Sequence, residues 1–251
     1  MIKGMYAAAS AMIAGMKRQS ALAHNVANLD TPGFRQILLA MDDWYVTPVR
    51  QNSQTMMPQM DVNHMSQLGY VGLGSQTSPE ITDFSQGGMK ASDNELDFAI
   101  NGTGFFRVKT SDGERYTRDG RFLRDANNQL VTVNGYQVLN TNGQVITLPE
   151  GAVRIDESGN ISGTNGVQVA QIGLAAFKDP NTELTRDGMN TFAAKGAPTD
   201  NNPGTVQQGY LEMSNVNLTR VVATGRAYEA AQRMVQMADE TTGKMLSSLS
   251  R

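Results

Sequence analysis

The sequence predicts an α+β protein in which a discontinuous coiled-coil domain, made from the two terminal helices, brackets an antiparallel all-β central domain of barrel or sandwich-like form. Three observations carry this. Apolar residues recur at helical spacing at both ends, short strand signals separated by Gly and Asn turns fill the middle, and a stretch between the two follows neither period. Four segments result: an N-terminal helix over 1–35, an extended linker or arm over 36–79, the β-rich domain over 80–209, and a C-terminal helix over 210–251.

The first helical stripe runs Met5, Ala9, Met12, Met16, Ala23 and Val26, with Leu22 joining it. Steps of three and four are what a coiled-coil seam requires, so this face needs a partner helix. The helix should stop near Asn28, because Thr31-Pro32-Gly33-Phe34 places Pro and Gly at the middle positions of a type II turn. From Gln36 to Pro79 the composition shifts to Gln, Met, Asn and Pro. Trp44 and Tyr45 could anchor part of this arm, and the remainder is expected to gain order from a partner.

Strands are expected at Phe105–Val108 and Tyr116–Arg118 around Asp112-Gly113, and at Leu130–Val133 and Tyr136–Leu139 around Asn134-Gly135. The Asn-Gly pair suits a type I′ hairpin turn, which needs positive φ at both positions. Further strands fit Val145–Leu148, Val153–Asp156 and Val167–Phe177, while Asp179–Gly209 reads as loop with room for one more strand.

The last helix should open at Asn217, an N-cap, and carries the second stripe: Leu218, Val221, Gly225, Tyr228, Ala231, Val235, Ala238, Thr242, Met245 and Leu249. Gly4, Gly15, Gly225 and Gly243 each cost a helix about 1 kcal/mol relative to Ala. Both helices should therefore order mainly on docking.

Composition excludes several classes. The chain has 251 residues and no cysteine, which removes disulfides, thiol catalysis and thiolate metal sites. Its net charge is −3; residues 1–35 hold Lys3, Lys17, Arg18 and Arg35 against Asp30 alone, so the first helix is basic and the rest acidic. With no basic face interleaved with aromatics, nucleic acid is not an expected partner. No apolar run reaches the roughly 18 residues of a membrane span, so no transmembrane segment is expected. A basic first helix lying on a membrane surface is a rival reading; the simpler one is a solvated charged face. The start of the chain imitates a secretory signal ending at Ala21-Leu22-Ala23, but Lys17-Arg18 interrupts it and the stripe continues to Val26.

Chemistry-bearing motifs are sparse. His24 and His64 have no second ligand at metal spacing, and no metal or other cofactor is expected. Asn101-Gly102-Thr103-Gly104-Phe105-Phe106 has the glycines of a phosphate loop, yet it leads into a strand, so it reads as a tight turn or bulge. Asp156-Glu157-Ser158-Gly159-Asn160 reads as a hairpin turn rather than a calcium loop. Asp93, Glu95, Asp97, Asp119 and Asp125 could supply an acid/base pair in a Sec-exported cell-wall hydrolase, but carboxylates scattered among turns are ordinary. No catalytic residue and no small-molecule substrate is assigned.

Three ordered blocks resemble bacterial flagellar rod and hook axial proteins. The first, His24–Arg35, includes Asn25, Ala27, Asn28, Thr31, Gly33 and Phe34. The second is Leu96–Val108, with Gly102, Gly104, Phe105 and Phe106, followed by Tyr116–Phe122. The third is Gly209–Leu218, with Ser214, Asn215 and Val216, and then Arg226 and Tyr228. The resemblance implies a structural subunit of the basal-body rod, exported by the flagellar type III apparatus without a cleaved signal. It also implies a hollow tube assembled with copies of itself and with other rod and hook proteins. The self-assembly seam then falls on Met5, Met12, Met16, Leu22 and Val26, with Leu218, Val221, Tyr228, Val235, Met245 and Leu249. The length suits a rod subunit rather than a hook-type one, and Ile81–Gly88 is more similar to proximal than to distal rod proteins. Two departures stand out: Arg220 where relatives often carry an acidic residue, and Gly225 where they carry Gln.

Overall fold

The computed structural model describes residues 2–43, 46–50, 67–72, 75–163, 166–188, 190–200 and 203–217, with residues 229, 232, 233, 236, 237, 240 and 243 beyond them. The chain divides into two compact units. One consists of Asn25–Ile37 with Ile81–Val216; the other is drawn from Met1–His24, Leu38–Glu80 and Asn217–Arg251.

An α-helix spans Ile2–Ala27 and stops one residue before Asn28. Its end tightens into three-residue steps, Asn28 N–H donating to Asn25 O and Leu29 N–H to Val26 O. One side of the helix is buried at Ala14 and Asn25, while Met12, Ile13, Met16 and Val26 are exposed.

The segment expected to be an extended linker or arm carries two nested antiparallel ladders. Met41–Asp43 pairs with Ser75–Thr77, and Val46–Arg50 pairs with Gln67–Gly72. Pro48 and Gly69 interrupt any apolar alternation there, which hides these strands from a pattern search. Trp44 and Tyr45 lie outside the described residues.

The β-rich unit is organised around Phe105–Thr110. In spatial order the main sheet runs Phe122–Arg124, Leu130–Thr132, Gln137–Val138, Phe105–Thr110, Gly113–Thr117, Thr191–Ala194 and Leu184–Arg186, with Leu174–Ala175 also paired to the central strand. Successive side chains of a strand point to opposite faces, so the Phe pair serves two cores at once. Phe106 and Val108 pack with Phe98, Phe122, Leu130 and Ile161. Phe105 packs instead with Tyr116, Phe177, Leu184 and Phe192.

The all-β, antiparallel character is as expected, but the barrel is not closed: Phe122–Arg124 and Leu184–Arg186 are the two ends of the main sheet and do not pair with each other. Frequent turns explain this. Positive φ recurs at Asn128, Gly135, Gly143, Gly151, Gly159 and Gly166, every seven or eight residues, so strands end before they can wrap. Five of these turns share one hydrogen-bond pattern. In each, the positive-φ residue donates to the residue three before it, Asn128 to Asp125, Gly135 to Thr132, Gly143 to Asn140, Gly159 to Asp156 and Gly166 to Gly163. This corrects the turn at Asn134-Gly135. Only Gly135 has positive φ, so the loop is a type I turn followed by a glycine bulge, not type I′. Thr132 Oγ1 accepts the Tyr136 N–H at 3.1 Å and stabilises the longer loop.

Asp156 sits in such a turn, its carboxylate accepting from Ser158 N–H and Asn160 N–H. These bonds, with that from the Asn160 side chain foremost, hold its carboxyl below the usual range. The stretch Asp179–Gly209 holds more than one strand: a helical turn at Pro180–Glu183, then Leu184–Arg186, Thr191–Ala194 and Thr205–Gln208. Three- and four-residue strands among Gly, Asn and Thr leave too little periodicity to read.

Candidate functional site

The three motif blocks, far apart in sequence, meet inside the β-rich unit. The first block enters through Asn25, which is buried and bonds the backbone of Ile37 in both directions, donating to its carbonyl at 2.8 Å and accepting its N–H at 2.9 Å. Thr31 donates its hydroxyl to Asn28 Oδ1, and Phe34 N–H closes the turn on Thr31 O. The turn is type II as expected, because Gly33 has φ +70°. Gly33 is required twice over: a Cβ there would lie 2.3 Å from the Arg118 carbonyl carbon and the Asp119 nitrogen. Its N–H donates to Glu212 O at 2.7 Å, so the first block touches the second and third at one residue.

At the centre is a buried ion cluster. Arg35 Nη1 donates to Glu212 Oε1 at 2.6 Å and Arg118 Nη1 to Glu212 Oε2 at 2.9 Å, with side-chain exposures of 0% for Arg35 and Glu212 and 2% for Arg118. Gly87 N–H adds a third bond to Oε1 at 2.8 Å. Two guanidinium groups thus share one carboxylate. Burial pulls Arg118 down to about 10, the nearby Arg35 charge acts in the same direction, and Glu212 opposes them. The surplus charge is spread elsewhere: Arg118 donates to Ile100 O and Gly102 O and stands 4.9 Å from the Phe105 ring centroid. Arg186 covers Phe34 and Phe192 and donates to Arg35 O. Asn190 donates to Pro32 O at 2.7 Å.

Asn215 completes the junction. Its Oδ1 accepts Gln36 N–H at 2.8 Å, and its Nδ2 donates to Asp83 O at 2.8 Å and Ser85 O at 3.0 Å. Ser214 Oγ accepts Val216 N–H.

The structure therefore gathers Asn25, Asn28, Thr31, Gly33 and Phe34 with Ser214, Asn215 and Val216. Gly102, Gly104, Phe105 and Phe106 adjoin them through Arg118. The glycines of the Gly102–Gly104 loop permit a close backbone approach: Gly104 N–H donates to Pro203 O at 2.8 Å, and a Cβ at Gly104 would lie 2.4 Å from that oxygen. Ala27 ends the helix and is exposed. Among the residues placed on a seam, Met12, Met16 and Val26 are exposed, Leu22 is half-buried and Met5 lies within the helix. Leu218, Val221, Arg226, Tyr228, Val235, Met245 and Leu249 lie outside the described residues.

Sequence reasoning missed Arg35, Arg118 and Glu212 as a unit. The available signal was a lone Glu between Leu211 and Met213, a charge set into an apolar strand. Asp97, Asp119 and Asp125, among the carboxylates weighed for catalysis, have structural partners: Asp97 accepts from Ser92 and Asn94, Asp119 pairs with Arg121 at 2.7 Å, and Asp125 accepts from two turn amides. No described helix is long and apolar enough to cross a membrane, and no group of three or more metal-binding side chains occurs among the described residues.

Three family models match the chain: "Flagella basal body rod protein" over residues 5–35, "Flagellar hook protein FlgE/F/G D1 domain" over 99–171, and "Flagellar basal body rod FlgEFG protein C-terminal" over 207–249. Full-length relatives are similar throughout. The chain is 31% identical to the flagellar basal-body rod protein FlgG of Borreliella burgdorferi, covering 97% of each. It is 30% identical to FlgF of Caulobacter vibrioides over 96% of this chain and 98% of that protein. It is 29% identical to FlgG of Bacillus subtilis over 98% and 99%.

Proposed function

This chain belongs to the flagellar basal-body rod proteins, and on that premise we propose that it polymerises through its terminal helices into a hollow, torque-transmitting tube. It is a structural subunit of the basal body and not an enzyme. Its partners are other flagellar rod and hook proteins and, in this reading, copies of itself.

One observation supports the assembly surface most directly. The helix Ile2–Ala27 leaves Met12, Ile13, Met16 and Val26 exposed, with Met16 at 60% and Val26 at 44%. Full burial of such a side chain is worth roughly 1.5–3 kcal/mol, so covering the exposed half of four contributes on the order of 3–6 kcal/mol per helix. At the other end the described helical residues, Glu229, Gln232, Arg233, Gln236, Met237, Glu240 and Gly243, are exposed and share one face. A heterologous contact repeated by a rotation that does not close gives a helical tube rather than a ring.

We also propose export through the flagellar type III apparatus with the N-terminus retained. The helix passes without a break through Ala21-Leu22-Ala23, and a chain with no cysteine meets no redox obstacle on crossing the envelope. The test is complementation of cells lacking the native rod subunit, followed by mass spectrometry of purified basal bodies. Incorporation with an intact N-terminus supports the reading. A soluble periplasmic product cleaved after Ala23 overturns it.

A further inference from the structure

The chain enters or leaves the β-rich unit at four points, Asn25, Ile37, Ile81 and Val216, and a single hydrogen-bonded knot ties residues at all four. Asn25 and Ile37 bond each other twice. Gln36 O accepts Asp83 N–H at 2.9 Å, and the Gln36 side chain donates to Asp83 Oδ2 at 2.7 Å. Asn215, one residue before Val216, reaches both: it accepts from Gln36 N–H and donates to the carbonyls of Asp83 and Ser85. The carboxamide suits this place because it offers an acceptor on one side and donors on the other. A carboxylate would set oxygen against two carbonyls, and an apolar side chain would leave a mostly buried N–H unpaired.

We infer that Asn215 is a positioning residue for assembly: it binds the four crossings into one neck, so that both terminal segments leave the β-rich unit from a common, fixed point. Load passing through the chain of such a subunit must cross these four segments, and the knot makes them move together. The inference rests on the rod reading. It also accounts for why Asn25 and Asn215 are amides, able to grip backbone from the side without taking the place of a strand, while Gln36 and Asp83 join side chain to side chain.

The test uses the full-length protein as wild type, Asn215→Ala and Asn215→Asp. Three readouts are needed: amide hydrogen exchange at Gln36, thermal unfolding of the β-rich unit, and incorporation into basal bodies in cells lacking the native subunit. Asn215→Ala should lose about tenfold or more protection at Gln36, whereas Asn215→Asp, whose carboxylate still accepts that N–H, should lose less; both should fall about tenfold in incorporation, further than their loss of thermal stability explains. Exposure of Gln36 with normal incorporation would overturn the inference. So would incorporation that falls only as far as stability falls and is restored by lowering the temperature. Failure of the wild-type protein itself to incorporate defeats the rod reading as well, which separates that outcome from a fault in the Asn215 argument alone.

Discussion

Replacing Glu212 by Gln tests the junction most severely. Gln keeps the shape, and its amide oxygen can still accept from one partner, but the negative charge that two buried guanidinium groups share is gone. Arg35 and Arg118, exposed at 0% and 2%, would then face each other without a counter-ion. Breaking one buried pair by removing a partner costs about 3–5 kcal/mol. Here both pairs depend on the same carboxylate, and the Gly87 N–H bond at 2.8 Å weakens with it. The loss should therefore reach the upper end of that range. For a unit of this size, each kcal/mol lowers the transition by roughly 2–4 °C, so a fall of about 10–20 °C is expected. Differential scanning calorimetry of the purified subunit reads it. Glu114→Gln supplies the contrast: Glu114 pairs with Arg107 at 2.6 Å, but its side chain is 34% exposed, and loss of such a pair costs under about 1 kcal/mol. If the two variants melt within 2 °C or so of one another, the charge argument for Glu212 is wrong.

Gly33→Ala should destabilise the β-rich unit by more than about 2 kcal/mol, because strain at positive φ is joined by a backbone collision. Gly135→Ala, at φ +81° with nothing near its Cβ, should cost only the conformational strain, about 1–2 kcal/mol; urea unfolding distinguishes the two. The Arg107 hydrogen bond holds the Glu114 carboxyl below its ordinary 4.5. Its contribution is therefore present above pH 4.5 and lost as pH falls through the lower folded value, so Glu114→Gln should flatten the acid limb of the stability curve slightly. Met16→Asp and Val235→Asp should abolish rod assembly; Met16→Asp should leave calorimetric stability within about 0.5 kcal/mol, since its site is 60% exposed. Normal swimming by either variant counts against a helical seam.

Local signals were legible where one residue type decides the backbone. Pro32-Gly33 gave the turn that ends the first helix, and Asn134-Gly135 gave a hairpin, though not its turn type. The loop's length and the Thr132 hydroxyl decide that, and neither follows from the dipeptide. The glycine recurrence from Asn128 to Gly166, every seven or eight residues, was present in the sequence. It predicts strands too short to close a barrel. What could not be read was convergence. Arg35, Arg118 and Glu212 are each unexceptional alone, and only the folded register sets them on one carboxylate. The short strands were hidden for another reason: Pro48 and Gly69 break the pattern within 41–77, and the three- and four-residue strands at 184–194 each bury a single large apolar side chain, Leu184 or Phe192, too few for a period to register.

The central claim is that the exposed helical face becomes the buried inner wall of a tube. Cryo-electron microscopy of isolated basal bodies, with this subunit traced, tests it most directly. The expected map places Met12, Met16 and Val26 against helices of neighbouring subunits and the β-rich unit outside them. A rod in which that face stays open to solvent, with contacts made only by the β-rich unit, would contradict it.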